Sequence, residues 1–196
     1  MLKKLSNKLS EYPGIYTFLR KIIENNFKAQ RKVISQEVSG VNGKILDVPC
    51  GIGEFSVFFD KKNYVGVDLS KIYVDYAKRK YGKIFVVGDA LNLVFDDDYF
   101  NFVFISGFFH HLDLEQVKKS IFELNRILSS GGKALIIEDS PGKSFAVRKL
   151  QKYDVGANIR DASVYSELFE KYFVIEKKYP MKSGMWDYTV FVLKKK

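Results

Sequence analysis

From residue 44 onward the chain alternates between short apolar runs and amphipathic stretches, and that rhythm leaves it very few architectures. Residues 44–48, 64–68, 84–87, 100–106 and 134–137 read as strands, rich in β-branched and aromatic side chains. Residues 54–60, 70–80 and 114–128 read as the helices between them, with Ser70 placed to cap the second and Gly131-Gly132 to end the third. The run 100–106 is apolar almost throughout, as expected of a strand buried on both faces. Residues 172–179 and 186–193 are two further strands, joined by a segment too short for a crossover, so they must pair antiparallel. The expected fold is α/β: a doubly wound, Rossmann-like sheet of seven strands with the last strand antiparallel. Residues 2–38 read as helix interrupted near Pro13-Gly14, with Ile15, Phe18, Leu19, Ile22 and Ile23 on one face and Arg20, Lys21 and Lys28 on the other. They form an expected N-terminal helical cap over 1–40, ahead of a main domain over 41–196.

Composition narrows the function classes. With 196 residues, 46% hydrophobic and 28% charged, the chain suits one globular domain and an appendage. No apolar run approaches the roughly 20 residues that span a bilayer. The first residues are charged throughout and lack the apolar stretch of a secretory leader, so a cytoplasmic location is expected. One cysteine and two histidines exclude an internal disulfide and a zinc-spaced ligand set, and no metal is expected. The net charge of +9 is concentrated at the ends: residues 1–32 hold eight Lys/Arg against two acids and residues 171–196 hold seven against two. Such ends are commonly solvated surface, though they can also attract phosphates or an anionic membrane.

The chemistry is concentrated in Lys44-Ile45-Leu46-Asp47-Val48-Pro49-Cys50-Gly51-Ile52-Gly53, where a strand ends in an acid and turns through two glycines. In doubly wound sheets ligands bind beyond the carboxyl ends of the strands. Asp47, Asp68, Asp89 and Ser106 all stand at or just past such ends, and so line one rim. An acid about 20 residues after a Gly-rich turn is placed to accept from both hydroxyls of a ribose, which makes Asp68 the mark of a nucleoside cofactor. A dinucleotide site would use a third glycine, absent from Glu54-Phe55-Ser56, and Glu54 together with Asp47 would oppose pyrophosphate and favour a cation.

These residues, with Val65-Gly66-Val67-Asp68-Leu69-Ser70, Gly88-Asp89-Ala90, His110-His111-Leu112 and Asn125-Arg126-Ile127-Leu128-Ser129-Ser130-Gly131-Gly132, resemble the ordered signatures of class I S-adenosylmethionine-dependent methyltransferases. The resemblance runs from about residue 44 to 195. It implies S-adenosylmethionine as cofactor and S-adenosylhomocysteine as product. It makes Pro49, Cys50, Gly51 and Gly53 the cofactor-binding turn, with the two glycines against the methionine part, and places Asp47 at its amino group. It places Asp68 on the ribose, Leu69 and Ala90 beside the adenine, Asp89 on the adenine amino group and Ser106 near the sulfonium. Pro49 departs from the family's usual glycine, and Asn101 stands where an aspartate is common.

Methyl transfer from a sulfonium relies on orientation and exclusion of water, so no protein nucleophile is required. His111, and after it His110, are candidate general bases for a hydroxyl or amine acceptor; the plainer alternative is packing or capping. Cys50 is read as a small turn residue. Ser106-Gly107-Phe108-Phe109 lacks the Pro-Pro arrangement used to grip a base amino group, which disfavours methylation of an exocyclic base nitrogen. Acceptor recognition is expected from the N-terminal helices, with Tyr12 and Tyr16, and from residues 140–165, with Arg148, Lys149, Tyr153 and Arg160; Phe108, Phe109 and Trp186 are read first as core packing and second as apolar walls. The expected acceptor is a small molecule, suited by the basic residues if anionic. Methylation of RNA or protein, a non-catalytic cofactor-binding partner subunit and a nicotinamide oxidoreductase are the competing readings.

Overall fold

A computed structural model describes residues 13–151 and 158–196. Seven strands form one sheet: β1 (Ile45–Asp47), β2 (Tyr64–Asp68), β3 (Ile84–Val87), β4 (Phe100–Ser106), β5 (Leu128–Asp139), β6 (Phe173–Ser183) and β7 (Trp186–Lys195). Their order is β3-β2-β1-β4-β5-β7-β6. The pairs among β1 to β5 are parallel, and β7 runs antiparallel to both β5 and β6. The expected sheet is present, and strand order reverses between β1 and β4, where Asp47 is in register with Phe104.

Both faces are covered, as the apolar run in β4 requires. Phe102 and Phe104 point into one core, with Ile45, Tyr64 and Phe85. Phe100, Val103 and Ile105 point into the other, with Leu46 and Val67. The first core is closed by α2 (Lys28–Glu37), through Val33 and Ile34, and by α3 (Lys71–Tyr81), through Val74 and Ala77. The second is closed by α4 (Leu114–Ile127), through Val117, Ile121 and Leu124, and by α6 (Ala162–Phe169), through Tyr165 and Phe169. Between them in sequence lies the short α5 (Phe145–Gln151). Ser70 caps α3 as expected, its Oγ accepting from Tyr73 N at 3.4 Å, and α4 starts in an Asp113–Gln116 capping box.

Three local expectations need correction. The helix expected over 54–60 is only a 3-10 turn, Ser56–Phe58. Its aromatic side chains are drawn into long-range packing: Phe55 lies edge-on to Phe104, and Phe59 stacks on Tyr64. Lys83 Nζ donates to the carbonyls of Ser56 and Phe59, satisfying acceptors that a continued helix would have used. At the N-terminus, α1 (Pro13–Ile23) starts at the expected Pro13-Gly14 interruption, as proline suits a first helical position, but the stretch from there to residue 38 is not one helix. The break falls at Asn25–Phe27, where three consecutive residues adopt positive φ. The part of the expected cap before residue 13 lies outside the described residues. Finally, β5 begins at Leu128, directly after α4, so Gly131-Gly132 lies within the strand and ends no helix.

Candidate cofactor and acceptor site

Above the carboxyl ends of β1, β2 and β4 lies a cleft of two lobes. The larger, about 320 Å³, is lined by Asp47, Cys50, Gly51, Ser106, His110 and His111 among others. The smaller, about 260 Å³, is lined by Leu69, Asp89, Ala90, Leu91 and Phe108. Pro49 and Asp68 line both lobes, so the acid stands at the junction.

Sequence and topology together explain this convergence. β1 and β2 are in parallel register, Asp47 opposite Gly66, so the two acids that close these strands stand at the same edge of the sheet. Asp68 closes the Gly-rich turn on itself: Oδ2 accepts from Gly51 N and Oδ1 from Ser70 N, each at 2.8 Å. Burial raises its carboxyl above the ordinary range, and these two amides pull the other way. Asp47 is 2% exposed, and Oδ2 accepts from the Tyr64 hydroxyl at 2.7 Å. Burial pushes its carboxyl up to about 7, the Tyr64 hydrogen bond opposes that, and the neighbouring Asp68 adds to it. Two acids crowded at one cleft favour a ligand that brings positive charge. Burial also raises the Cys50 thiol far above its ordinary range, with Asp47 and Asp68 contributing, which removes it as a nucleophile at neutral pH.

The two turn glycines do different things. Gly51 has φ +53°, and a Cβ there would meet nothing within 4 Å, so its bare backbone faces open cleft. Gly53, at φ +75°, is absent from the lining; a Cβ there would come within 2.8 Å of the Phe85 ring. Its glycine serves packing of the turn on the sheet. Glu54 does line the cleft, yet it is ion-paired to Lys21 at 2.9 Å and to Arg31, so its charge fastens the N-terminal helices to the turn.

His110 is 3% exposed, with Nδ1 2.6 Å from Glu138 Oε1. Glu138 also accepts from the backbone amides of Phe108, Phe109 and His110. Burial alone would raise this carboxyl, but the His110 ring and those amides outweigh it and hold Glu138 below the ordinary range. His110 is thus fixed in place, while His111 is exposed at the cleft with its ring centroid 4.1 Å from that of His110.

On the acceptor side several expected residues are placed elsewhere. Arg160 donates to the carbonyls of Phe109, Leu112 and Asn158, and Arg148 to those of Gly142 and Lys143, so both brace loops. Lys149 is exposed and outside the lining. Phe109 and Trp186 follow the core reading: Phe109 is fully buried, and Trp186 is buried with Nε1 donating to Asp139 at 3.0 Å. Phe108 does form a wall, in the smaller lobe. Tyr12, Tyr153 and the Tyr16 side chain lie outside the described residues. In their place the wall is polar and comes from α1, the residue that follows it, α2 and β7: Thr17, Arg20, Glu24, Gln30 and Tyr188. Glu24, 1% exposed, is paired with Arg20 and accepts from Gln30 Nε2 and the Tyr188 hydroxyl, each at 2.6 Å. One signal was legible: Glu24 is the sole acid between residues 12 and 36, one helical turn from Arg20.

A sequence model of the methyltransferase domain family matches residues 46–136. The demethylmenaquinone methyltransferase of Staphylococcus saprophyticus is 33% identical over 138 residues, covering 65% of this chain and 58% of that protein. Its counterpart from Chlorobaculum tepidum is 31% identical over 156 residues, covering 74% and 64%. The chain therefore spans about three fifths of the length of these curated relatives. Among solved structures, a Pyrococcus horikoshii OT3 protein superposes with TM-score 0.69 at 22% identity, over 87% of this chain and 92% of that one. The geranyl diphosphate C-methyltransferase of Streptomyces coelicolor A3(2), solved with Mg2+, geranyl diphosphate and S-adenosylhomocysteine, gives 0.74 at 15%, over 88% and 81%. Both likenesses are of fold. No helix among the described residues is long and apolar enough to cross a membrane. With its strand order, the acids at the ends of β1 and β2, and these relatives, the chain belongs to the class I S-adenosylmethionine-dependent methyltransferase family.

Proposed function

We propose that the chain transfers a methyl group from S-adenosylmethionine to an oxygen, nitrogen or carbon of a small molecule held in the larger lobe. The observation that carries this reading is the position of Asp68 at the junction of an apolar lobe and an acid-lined one. A nucleoside bridging the lobes would lay its ribose at Asp68. Leu69, 73% exposed, and Ala90 offer the adenine an apolar face, with Asp89 at the rim. Asp47 would receive the amino group, and the open space at Gly51 would admit the amino-acid end. Ser106 lines the larger lobe near the reacting end.

The bound cofactor supplies an electrophilic methyl group. The chain's own residues bind, orient and exclude water. Arg20, Glu24 and Tyr188 form a polar wall that would position the acceptor, and His111 is the group exposed to take its proton. The relatives' names make a demethylmenaquinone-like molecule the first acceptor to assay.

The test is calorimetric titration of the chain with S-adenosylmethionine and, separately, with NAD, followed by transfer of labelled methyl to candidate acceptors. Binding of the sulfonium cofactor alone supports the reading. NAD binding, or cofactor binding with no transfer to any small acceptor, sinks it in favour of an oxidoreductase or a scaffold.

A further inference from the structure

We propose that the outer face of α1 docks the chain on an anionic lipid bilayer, a surface separate from the cleft and independent of the acceptor the cleft takes. A surface helix normally turns its apolar stripe to the core and its polar residues to water. α1 does the reverse. At 100° per residue, Thr17, Arg20 and Glu24 fall together, and these three line the cleft. Ile15, Phe18, Leu19 and Ile22 fall on the opposite side, 51%, 63%, 40% and 63% exposed. Ile23, 40% exposed, and Met185, 46% exposed, continue the patch, for Met185 N donates to Ile23 O at 3.3 Å. The inversion has a physical cause. The cleft needs a polar wall, and the helix that supplies it can only turn its apolar side outward.

Charge selects the occupant. Glu24 is the only acid between residues 13 and 32, and it is buried, so this stretch offers no carboxylate to the outside. Lys28 and Lys32 are exposed, and the residues just ahead of α1 include Lys3, Lys4 and Lys8 against Glu11 alone. An exposed apolar stripe in a cation-rich stretch whose one acid is buried matches an interface of acyl chains and anionic headgroups. A second copy would instead bring like charge against like charge, and a nucleic acid has no use for the Ile/Phe/Leu stripe.

The test is co-sedimentation of the full chain with vesicles of phosphatidylcholine alone, and of phosphatidylcholine with about a third phosphatidylglycerol. Its control is the double variant Phe18→Ser, Ile22→Ser, whose exposed positions leave the core untouched, verified by an unchanged thermal melt. The expected result is binding to the anionic vesicles, weakened by raised salt and reduced about tenfold or more in the variant. Three results overturn the proposal: no sedimentation with anionic vesicles; equal sedimentation of the variant, which would move binding to the basic ends alone; or a dimer by light scattering that the variant dissolves, without vesicle binding.

Discussion

Asp47→Asn isolates the electrostatic cost built into the cleft. In the unfolded chain this carboxyl ionises near 3.8, and in the folded chain without cofactor near 7, chiefly because it is buried. Between those values the unfolded chain releases a proton that the folded chain keeps, so stability falls as pH rises through that window and stays reduced above it. At about 1.4 kcal/mol per pH unit, the interval is worth about 4 kcal/mol. Asparagine stays neutral at every pH, can still accept from Tyr64, and leaves a buried amide N–H that costs about 1–3 kcal/mol if unpaired. The order of stability should therefore invert. Near pH 4 the variant is the weaker protein, by about 1–3 kcal/mol, and near pH 8 it is the stronger by a similar amount. Urea denaturation of both proteins across this range, without cofactor, reads the crossing directly. Taking the difference between the two cancels the titrating groups that do not interact with Asp47. A gap that keeps one sign and size across the range would refute the reasoning and return Asp47 to an ordinary ionised carboxylate.

Asp68→Ala should weaken S-adenosylmethionine binding at least about tenfold by calorimetry, since it removes hydrogen bonds to a charged acid; unchanged affinity in a folded variant removes Asp68 from the site. The two turn glycines should separate cleanly. Gly53→Ala, with positive φ and the Phe85 ring in the way, should lose about 2–4 kcal/mol in denaturation. Gly51→Ala should lose only about 1–2 kcal/mol while its methyl group obstructs the cofactor. Glu138→Gln should cost about 3 kcal/mol at neutral pH, because it strips the charged acceptor from His110 and the amides around it. Glu138 is held below its ordinary value, so that stability is present above about pH 4.5 and disappears as pH falls through the depressed folded value. A pH-independent gap would contradict it.

Arg20→Ala, finally, should spare cofactor affinity and impair acceptor use, measured as KM in the transfer assay once an acceptor is known. Equal loss of cofactor binding would show that the wall shapes the whole cleft.

What the sequence determined by itself was whatever depends on neighbours along the chain. Strand and helix periods, the short link before β7 and the cap at Ser70 are local, and they specified the sheet and its rim. Because strand ends in a parallel sheet share one edge, Asp47, Asp68, Asp89 and Ser106 could be placed together before any contact was known. Tertiary structure decided the rest. The stretch 54–60 has a helical pattern, but its aromatics pack on Phe104 and Tyr64 and the helix is lost. The same packing logic gives Gly53 to Phe85 and leaves Gly51 to the cleft, although the two look alike in sequence. The polar wall joins residues 20, 24, 30 and 188, and His110 meets Glu138 from another strand. The apolar stripe of α1 is plain in the sequence, yet its outward direction is not. Periodicity shows that a helix has two faces; only the element it packs against decides which face turns inward.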